Sequence, residues 1–347
     1  MKLLFRIIPF VIMIFLTVSC DWDSSLEMQA VSGDLSRSVS KNTKAQVIKL
    51  LDESNPATRW PENPFEEMPS LTKPYKQGKL SDEAINAALD RLNALRQMAG
   101  IPPVTSDPDW NDWCQYGAVV AGINNRISHG GYSEPSDDKD FLSKGNASTG
   151  LSNLVMGSNA AEKMDSFQDD SGNWGTNLGH RMLQFSPTLA AIGIGASSPG
   201  ATVEYCYENY AGVGGRKDYK QKPFDWNFVS WPSPGAFPVR FGAWRTQTPG
   251  FWHIQVNTAK YSALSSDEVT VTLTRKYDGK IWKFDVSQIP NTYKVTGGVL
   301  FFYHNDGYND GDIVQVKVQG LKDKDGFPAA DIIFNVEFFD YTPRSTR

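Results

Sequence analysis

Four histidines occur among the 347 residues, and their surroundings sort them by the chemistry each can do. His180 lies in NLGHRMLQF, between a glycine and an arginine, at what reads as the start of a helix. An imidazole there can act as general base, metal ligand or pH-responsive hydrogen-bonding group. It can equally be a packing residue bonded to backbone. His129, in ISHGGYSEP, belongs to a loop. His253 alternates with Trp252 and Ile254 and is expected on the solvent face of a strand, while His304 is expected in a turn. No HExxH, GxSxG elbow or phosphate-binding loop is present. The stretch YHNDGYNDGDI offers Asp306, Asn309, Asp310 and Asp312, oxygen donors of the kind calcium prefers. Its spacing departs from an EF-hand, and Asn, Asp and Gly are ordinary turn formers, so a plain loop is the expectation.

Cysteine use depends on compartment. Lys2 and Arg6 precede an uncharged apolar run, Ile7 to Val18, too short to cross a bilayer comfortably. The following LTVSC ends in small residues before Cys20 and resembles the bacterial lipoprotein signal, in which the cysteine is acylated. Residues 1–19 are therefore expected to be a signal peptide, with the exported chain held to the cell envelope by acyl groups on Cys20. Losing Lys2 and Arg6 takes the formal charge from −5 to −7. No basic stripe with interleaved aromatics opposes that acidity, which argues against nucleic acid as a partner. An oxidising compartment permits a Cys114–Cys206 disulfide; two separate buried thiols remain the alternative. Neither cysteine adjoins a histidine in sequence, so a thiol nucleophile is disfavoured.

Residues 20–79 read as a tether and proline-rich lead-in: a Ser-rich, charged stretch, one possible helical segment at AQVIKLLDE, then prolines at 56, 61, 64, 69 and 74. From Ser81, Ile85, Leu89, Leu92, Leu95 and Ala99 share one helical face, and Gly100 suits the stop. A second helix is expected from Asp107 as cap and Pro108 as first residue, running to about Ile127. A third fits SNAAEKMDSF, with Ala160, Met164 and Phe167 inward, and a fourth surrounds His180 and ends before Pro187. Two strands, 189–196 and 201–210, flank the turn signal SSPG. A break at 213–225 serves as a linker. Beyond it the period falls to two, at Trp252, Ile254 and Val256, then Val269, Val271 and Leu273, then Val314, Val316 and Val318, then Ile332, Phe334, Val336 and Phe338. That pattern predicts an antiparallel β-sandwich over 226–345. The fold class is thus α+β.

The order LNALRQMAGIPPV, ISHGG, SNLVMG, NLGHRMLQFSPTLAAIGIG and VEYCYENYAG resembles the CAP superfamily of cysteine-rich secretory, antigen 5 and pathogenesis-related proteins. The resemblance covers residues 80–212. It is nearest to bacterial versions in which a WPSPG-type motif, here FVSWPSPGAFP at 228–238, leads into an immunoglobulin-like β domain. It implies an α-β-α sandwich with an open groove lined by two histidines and two acids. Those positions correspond to His129 and His180, to Asp170, and to a GEN-like motif that reads LSN here. Ser152 thus stands at the glutamate position and Asn153 at the asparagine. This departure removes a carboxylate ligand and a possible base. No cofactor is demanded; a divalent metal such as zinc on His129 and His180 would lack the three or four protein ligands it generally takes. The resemblance favours a non-enzymatic recognition module for an extracellular lipid, glycan or protein, over a metal- or His-dependent envelope hydrolase or an adhesin using the β-sandwich.

Overall fold

The computed structural model describes residues 41–157, 159–170, 178–197, 201–205, 225–239, 251–262, 268–285, 298–304 and 307–343. Residues 1–40, Cys206 and Asp306 lie outside these residues, and with them the expected signal peptide, the expected acylation at Cys20, the question of a Cys114–Cys206 disulfide and one of the loop carboxylates.

The lead-in carries secondary structure from Lys41 onward, including a helix at the expected AQVIKLLDE. Helix α1 (Lys44–Glu53) opens with a reciprocal cap between Thr43 and Gln46. It inserts Val47 and Leu51, both fully buried, into the main core. A single-turn helix α2 (Pro56–Arg59) and a two-strand ribbon, β1 (Phe65–Glu67) with β2 (Lys79–Leu80), follow.

The next elements are α3 (Asp82–Met98), β3 (Thr105–Ser106), α4 (Pro108–Ile123), α5 (Lys139–Thr149), β4 (Asn153–Met156), α6 (Ala160–Asp169), α7 (Gly179–Gln184), β5 (Ala191–Ala196) and β6 (Ala201–Tyr205). Their starts follow from local chemistry. Ser81 accepts the Ala84 amide at 3.2 Å, and Asp107 accepts that of Trp110 at 3.1 Å with Pro108 in the first turn. Helix α4 stops at Ile123, short of the expected Ile127, and α5 lies in a stretch where the sequence pattern predicts no element. The four strands form a sheet in the order β3-β5-β6-β4.

Strand β5 shows why helices can cover both faces of that sheet. Ile192 and Ile194 join the core that contains Leu92, Leu95 and Met164. Gly193 and Gly195 point the other way, where a Cβ would come within 2.3 Å of the Trp110 and Cys114 carbonyl carbons of α4. Only the absence of side chains lets helix and strand backbones approach so closely.

The C-terminal portion is β-rich. It comprises β7 (Phe228–Trp231), β8 (Gly235–Pro238), β9 (Phe251–Val256), β10 (Thr270–Arg275), β11 (Ile281–Asp285), β12 (Gly298–Tyr303), β13 (Ile313–Gln319) and β14 (Ile332–Phe339). Five strands order as β11-β10-β13-β14-β8 and three as β12-β9-β7. Neighbours are antiparallel except for β14 and β8. Ring contacts tie the two sheets together: Phe228 to Phe334 at 5.4 Å, Trp252 to Phe338 at 6.2 Å and Phe284 to Phe302 at 4.4 Å.

The α and β portions share one hydrophobic core. Trp231, from the WPSPG stretch, is fully buried between Phe185 at 4.9 Å and Phe237 at 4.7 Å. Gly235 has φ +89°, and a Cβ there would strike the Asn42 backbone. The Asn42 carbonyl accepts from the Ala236 amide at 2.8 Å, while its side chain donates to the Met98 carbonyl at 2.7 Å. The lead-in thus straps both portions.

Two histidines differ from expectation. His253 is fully buried, not on a solvent face, because β9 carries one sheet partner on each side and packs α7 against its second face, with the Phe185 ring 6.1 Å away. His304 follows β12, outside a strand as expected. It is nonetheless buried among Trp282, Phe284 and Tyr308. The nearby loop behaves as an ordinary turn at its described residues: Asp312 accepts the Asn309 amide at 2.9 Å and Asp310 that of Asp340 at 2.9 Å.

Candidate functional site

Helix α6 ends where the site begins. Asp170 takes a left-handed conformation, φ 55° and ψ 22°, and its amide closes the helix on the Ser166 carbonyl. Aspartate is among the few non-glycine residues that enter this region routinely. The turn aims its fully buried carboxylate at α7. Oδ1 meets His180 Nδ1 at 3.0 Å, and Oδ2 accepts the Arg181 amide at 3.4 Å.

His180 retains 22% side-chain exposure. Phe167 lies edge-on to its ring at 5.3 Å, and Asn153 donates to its backbone carbonyl at 3.3 Å. A carboxylate can only accept, so the proton of a neutral His180 ring belongs on Nδ1 and the lone pair on Nε2. Such a ring can accept a ligand proton or a hydrogen bond, with its orientation fixed from behind by Asp170.

His129 reaches a similar state by another route. Its loop is pinned to α5, where the Tyr132 amide donates to Asn146 Oδ1 at 2.8 Å and the Tyr132 hydroxyl receives the Ser128 amide at 2.7 Å. Burial raises the Tyr132 phenol above its ordinary pKa, against the opposing pull of that amide and of Arg126. His129 is exposed, and its Nδ1 sits 3.1 Å from the Thr149 carbonyl. A carbonyl also only accepts, so Nδ1 carries the proton here too. Four residues beyond Thr149 comes Asn153, the anchor of His180. The segment 149–153 therefore holds His129 at one end and the His180 backbone at the other.

Ser152 lies in the same segment but is turned away from solvent. It is buried, and its hydroxyl donates to the Ser148 carbonyl at 2.8 Å, closing the end of α5. Among the described residues no group of three or more His, Cys, Asp or Glu could hold a metal ion. With Asp170 engaged by His180 and by the Arg181 amide, the donor set does not fit zinc, which generally takes three or four protein ligands.

Arg181 is a site residue that the sequence reading missed. Its guanidinium is buried, donating from Nε to the Gln168 carbonyl at 2.6 Å and from Nη2 to that of Asp169 at 3.0 Å. Burial lowers its pKa to about 10 despite the opposing carboxylates of Asp170 and Asp169. Arg181 clamps the turn that presents Asp170. The signal was an arginine inside the apolar run HRMLQF, since a buried charge survives only when hydrogen-bonded.

Residues 89–210 match the model of the CAP family, the cysteine-rich secretory protein family. The span lies within the expected 80–212 and includes His129, Asn153, Asp170 and His180; the β-rich portion falls outside it. The chain therefore carries a CAP domain over residues 89–210. No curated protein matches the chain.

Proposed function

We propose that this is an exported recognition protein, anchored to the cell envelope by acyl groups on Cys20, whose CAP domain binds an extracellular ligand through His129 and His180, with the buried Asn153 and Asp170 holding His180 in place from behind. The observation that carries this reading is the Asp170–His180 pair: a fully buried carboxylate spent on orienting a ring that keeps part of its surface open to solvent. Ordinary core histidines do not need a left-handed aspartate behind them. Both histidines place their Nδ1 proton toward an inner oxygen, which assigns the accepting character of each ring to Nε2. Such acceptors suit hydroxyl, amide or ammonium donors on a glycan, a protein or a lipid headgroup.

Other parts of the architecture agree. Helices on both faces of β5 support the α-β-α description, and the two contacting sheets behind it support an immunoglobulin-like sandwich that backs the CAP domain. The family match favours an extracellular setting, and the apolar run ending at Cys20 favours acyl attachment. The donor set argues against a zinc-dependent hydrolase.

The test uses the mature protein against immobilised glycans, peptides and phospholipid vesicles. A specific hit should weaken at least tenfold in His180→Ala and in Asp170→Asn while the fold persists. Hits unaffected by both substitutions would move the binding surface elsewhere. Zinc calorimetry at neutral pH should show no stoichiometric heat; one zinc per chain, lost in His129→Ala, would restore the hydrolase reading. For the anchor, Cys20→Ser should shift the protein from the membrane to the soluble fraction of cells producing it.

A further inference from the structure

At the other end of α6 from His180 the surface opens into a groove of about 640 Å³, within the range of ligand clefts. One wall comes from the lead-in: Trp60, Pro61, Glu62, Pro64 and Met68. The facing wall includes Asn159 and Glu162 from the start of α6. Glu162, in the first turn, and Asp170, at the end, are separated by eight residues, about 12 Å along the axis. The groove is therefore a different surface from the His180 site.

Its composition points to a class of ligand. Trp60 is half-buried and packed against the core, so one side of the indole is fixed in place. Met68 is 61% exposed, an apolar cost with no packing return. Prolines on the same wall fix the backbone, so little entropy is lost on binding. Two carboxylates also line the groove, Glu62 within the lead-in wall and Glu162 from α6, and neither has an ion pair among the described residues. Of the neighbouring cations, Arg59 pairs with Asp90 at 2.8 Å and Lys79 with Glu66 at 2.6 Å, and Lys163, whose side chain lies beside Gly157, makes no ion pair with either carboxylate among the described residues. An aromatic and thioether strip bordered by two uncompensated carboxylates is complementary to a cation on an apolar stem.

We propose that this groove binds an extended basic peptide, with a lysine or arginine stem lying along Trp60 and Met68 and its charge held between Glu62 and Glu162. An open, proline-walled channel suits an extended chain more than a compact ligand.

The probe is an acetylated, amidated hexapeptide of alternating lysine and proline, labelled with a fluorophore and titrated with the mature protein at low salt. Saturable binding is expected, weakened by 0.5 M salt because the charges are solvent-accessible. The double variant Glu62→Gln with Glu162→Gln should lose at least tenfold in affinity with its circular dichroism unchanged. Trp60→Leu should lose less, and His180→Ala should lose nothing. That last arm separates this site from the one proposed for the CAP domain, since either can fail alone. No saturable binding, or equal affinity in the double glutamine variant, would overturn the proposal. So would Trp60-dependent binding of a neutral hexasaccharide in place of the peptide, which would make the groove a sugar site.

Discussion

His180 precedes Arg181 in the chain and His253 feels its charge, and the two rings show what burial and partnership each do to an imidazole. In the CAP domain, His180 is part-exposed and bonded to a carboxylate at 3.0 Å. Across the seam with the β-rich portion, His253 is fully buried, and neither ring nitrogen has a hydrogen-bond partner among the described residues. Burial, aided by the Arg181 guanidinium, pushes its pKa well below the ordinary histidine value. One ring is held ready to interact. The other is locked neutral and carries a standing cost.

Arg181 is the element both depend on, so removing it should give the largest effect. Arg181→Met leaves the Gln168 and Asp169 carbonyls without this donor and removes a positive charge that interacts with Asp170. A loss of about 3 kcal/mol or more is expected, the scale for breaking a buried charged network. Calorimetric melting should show it as a drop of several degrees. An unchanged melting temperature would mean that the clamp is ornamental.

The next effect concerns pH. His253 in the folded state binds its proton far less readily than in the unfolded chain, so the unfolded state takes up protons first as acid is added. Stability should therefore be complete above about pH 6.5 and fall by about 1.4 kcal/mol for each pH unit below it. Chemical denaturation at pH 7, 6 and 5 measures this slope. His253→Leu should flatten the histidine contribution without weakening the protein at pH 7, because no hydrogen bond is lost. A slope that survives the substitution would have to come from other groups.

The same contrast explains what the sequence could and could not reveal. Alternation at Trp252, Ile254 and Val256 correctly marks one buried face, but a pattern of period two records a residue's polarity, not what later packs against it. His253 and Gln255 look like a solvent face and are instead fully buried, with the Phe185 ring at the end of α7 6.1 Å from that of His253. Helices α3, α4 and α6 were legible because their caps and apolar spacing are local, whereas α7, which has no side-chain cap, was marked by the Pro187 that follows it. Helix α5 was not, since KDFLSKGNAST is rich in poor helix formers. Gly145 is there because a Cβ would lie 2.2 Å from Val120 of α4, a tertiary demand that no local propensity records. In the candidate site, His180, Asp170 and Asn153 were found through resemblance and joined by hydrogen bonds in the structure. The clamp by Arg181 depends on where a loop returns in space and left only an odd charge as its trace.

A smaller perturbation sharpens the comparison from the His180 side. Asparagine keeps the left-handed turn accessible, so Asp170→Asn should cost only about 1 to 2 kcal/mol. Its amide can present an NH₂ as well as an oxygen, which removes the requirement that Nδ1 of His180 carry the proton. Nitrogen chemical shifts of the His180 ring should then report a mixture of tautomers where the native protein shows the Nδ1–H form. His253 should not respond, because its neutrality comes from burial and Arg181.

The smallest effect is expected at Ser152, where the resemblance and the structure part company. By position it stands where the family pattern has a carboxylate in the groove; by geometry it is a buried hydroxyl closing α5 on the Ser148 carbonyl at 2.8 Å. Ser152→Ala should cost about 1 kcal/mol, the worth of one neutral hydrogen bond, and leave ligand binding at His180 untouched. Ser152→Glu should be far more damaging, because a carboxylate at a 3% exposed position must either shed its charge or pull the end of α5 apart. A well-folded glutamate variant that gains zinc affinity would show instead that the segment 149–153 can turn its side chains outward, and that the serine stands in a groove position after all.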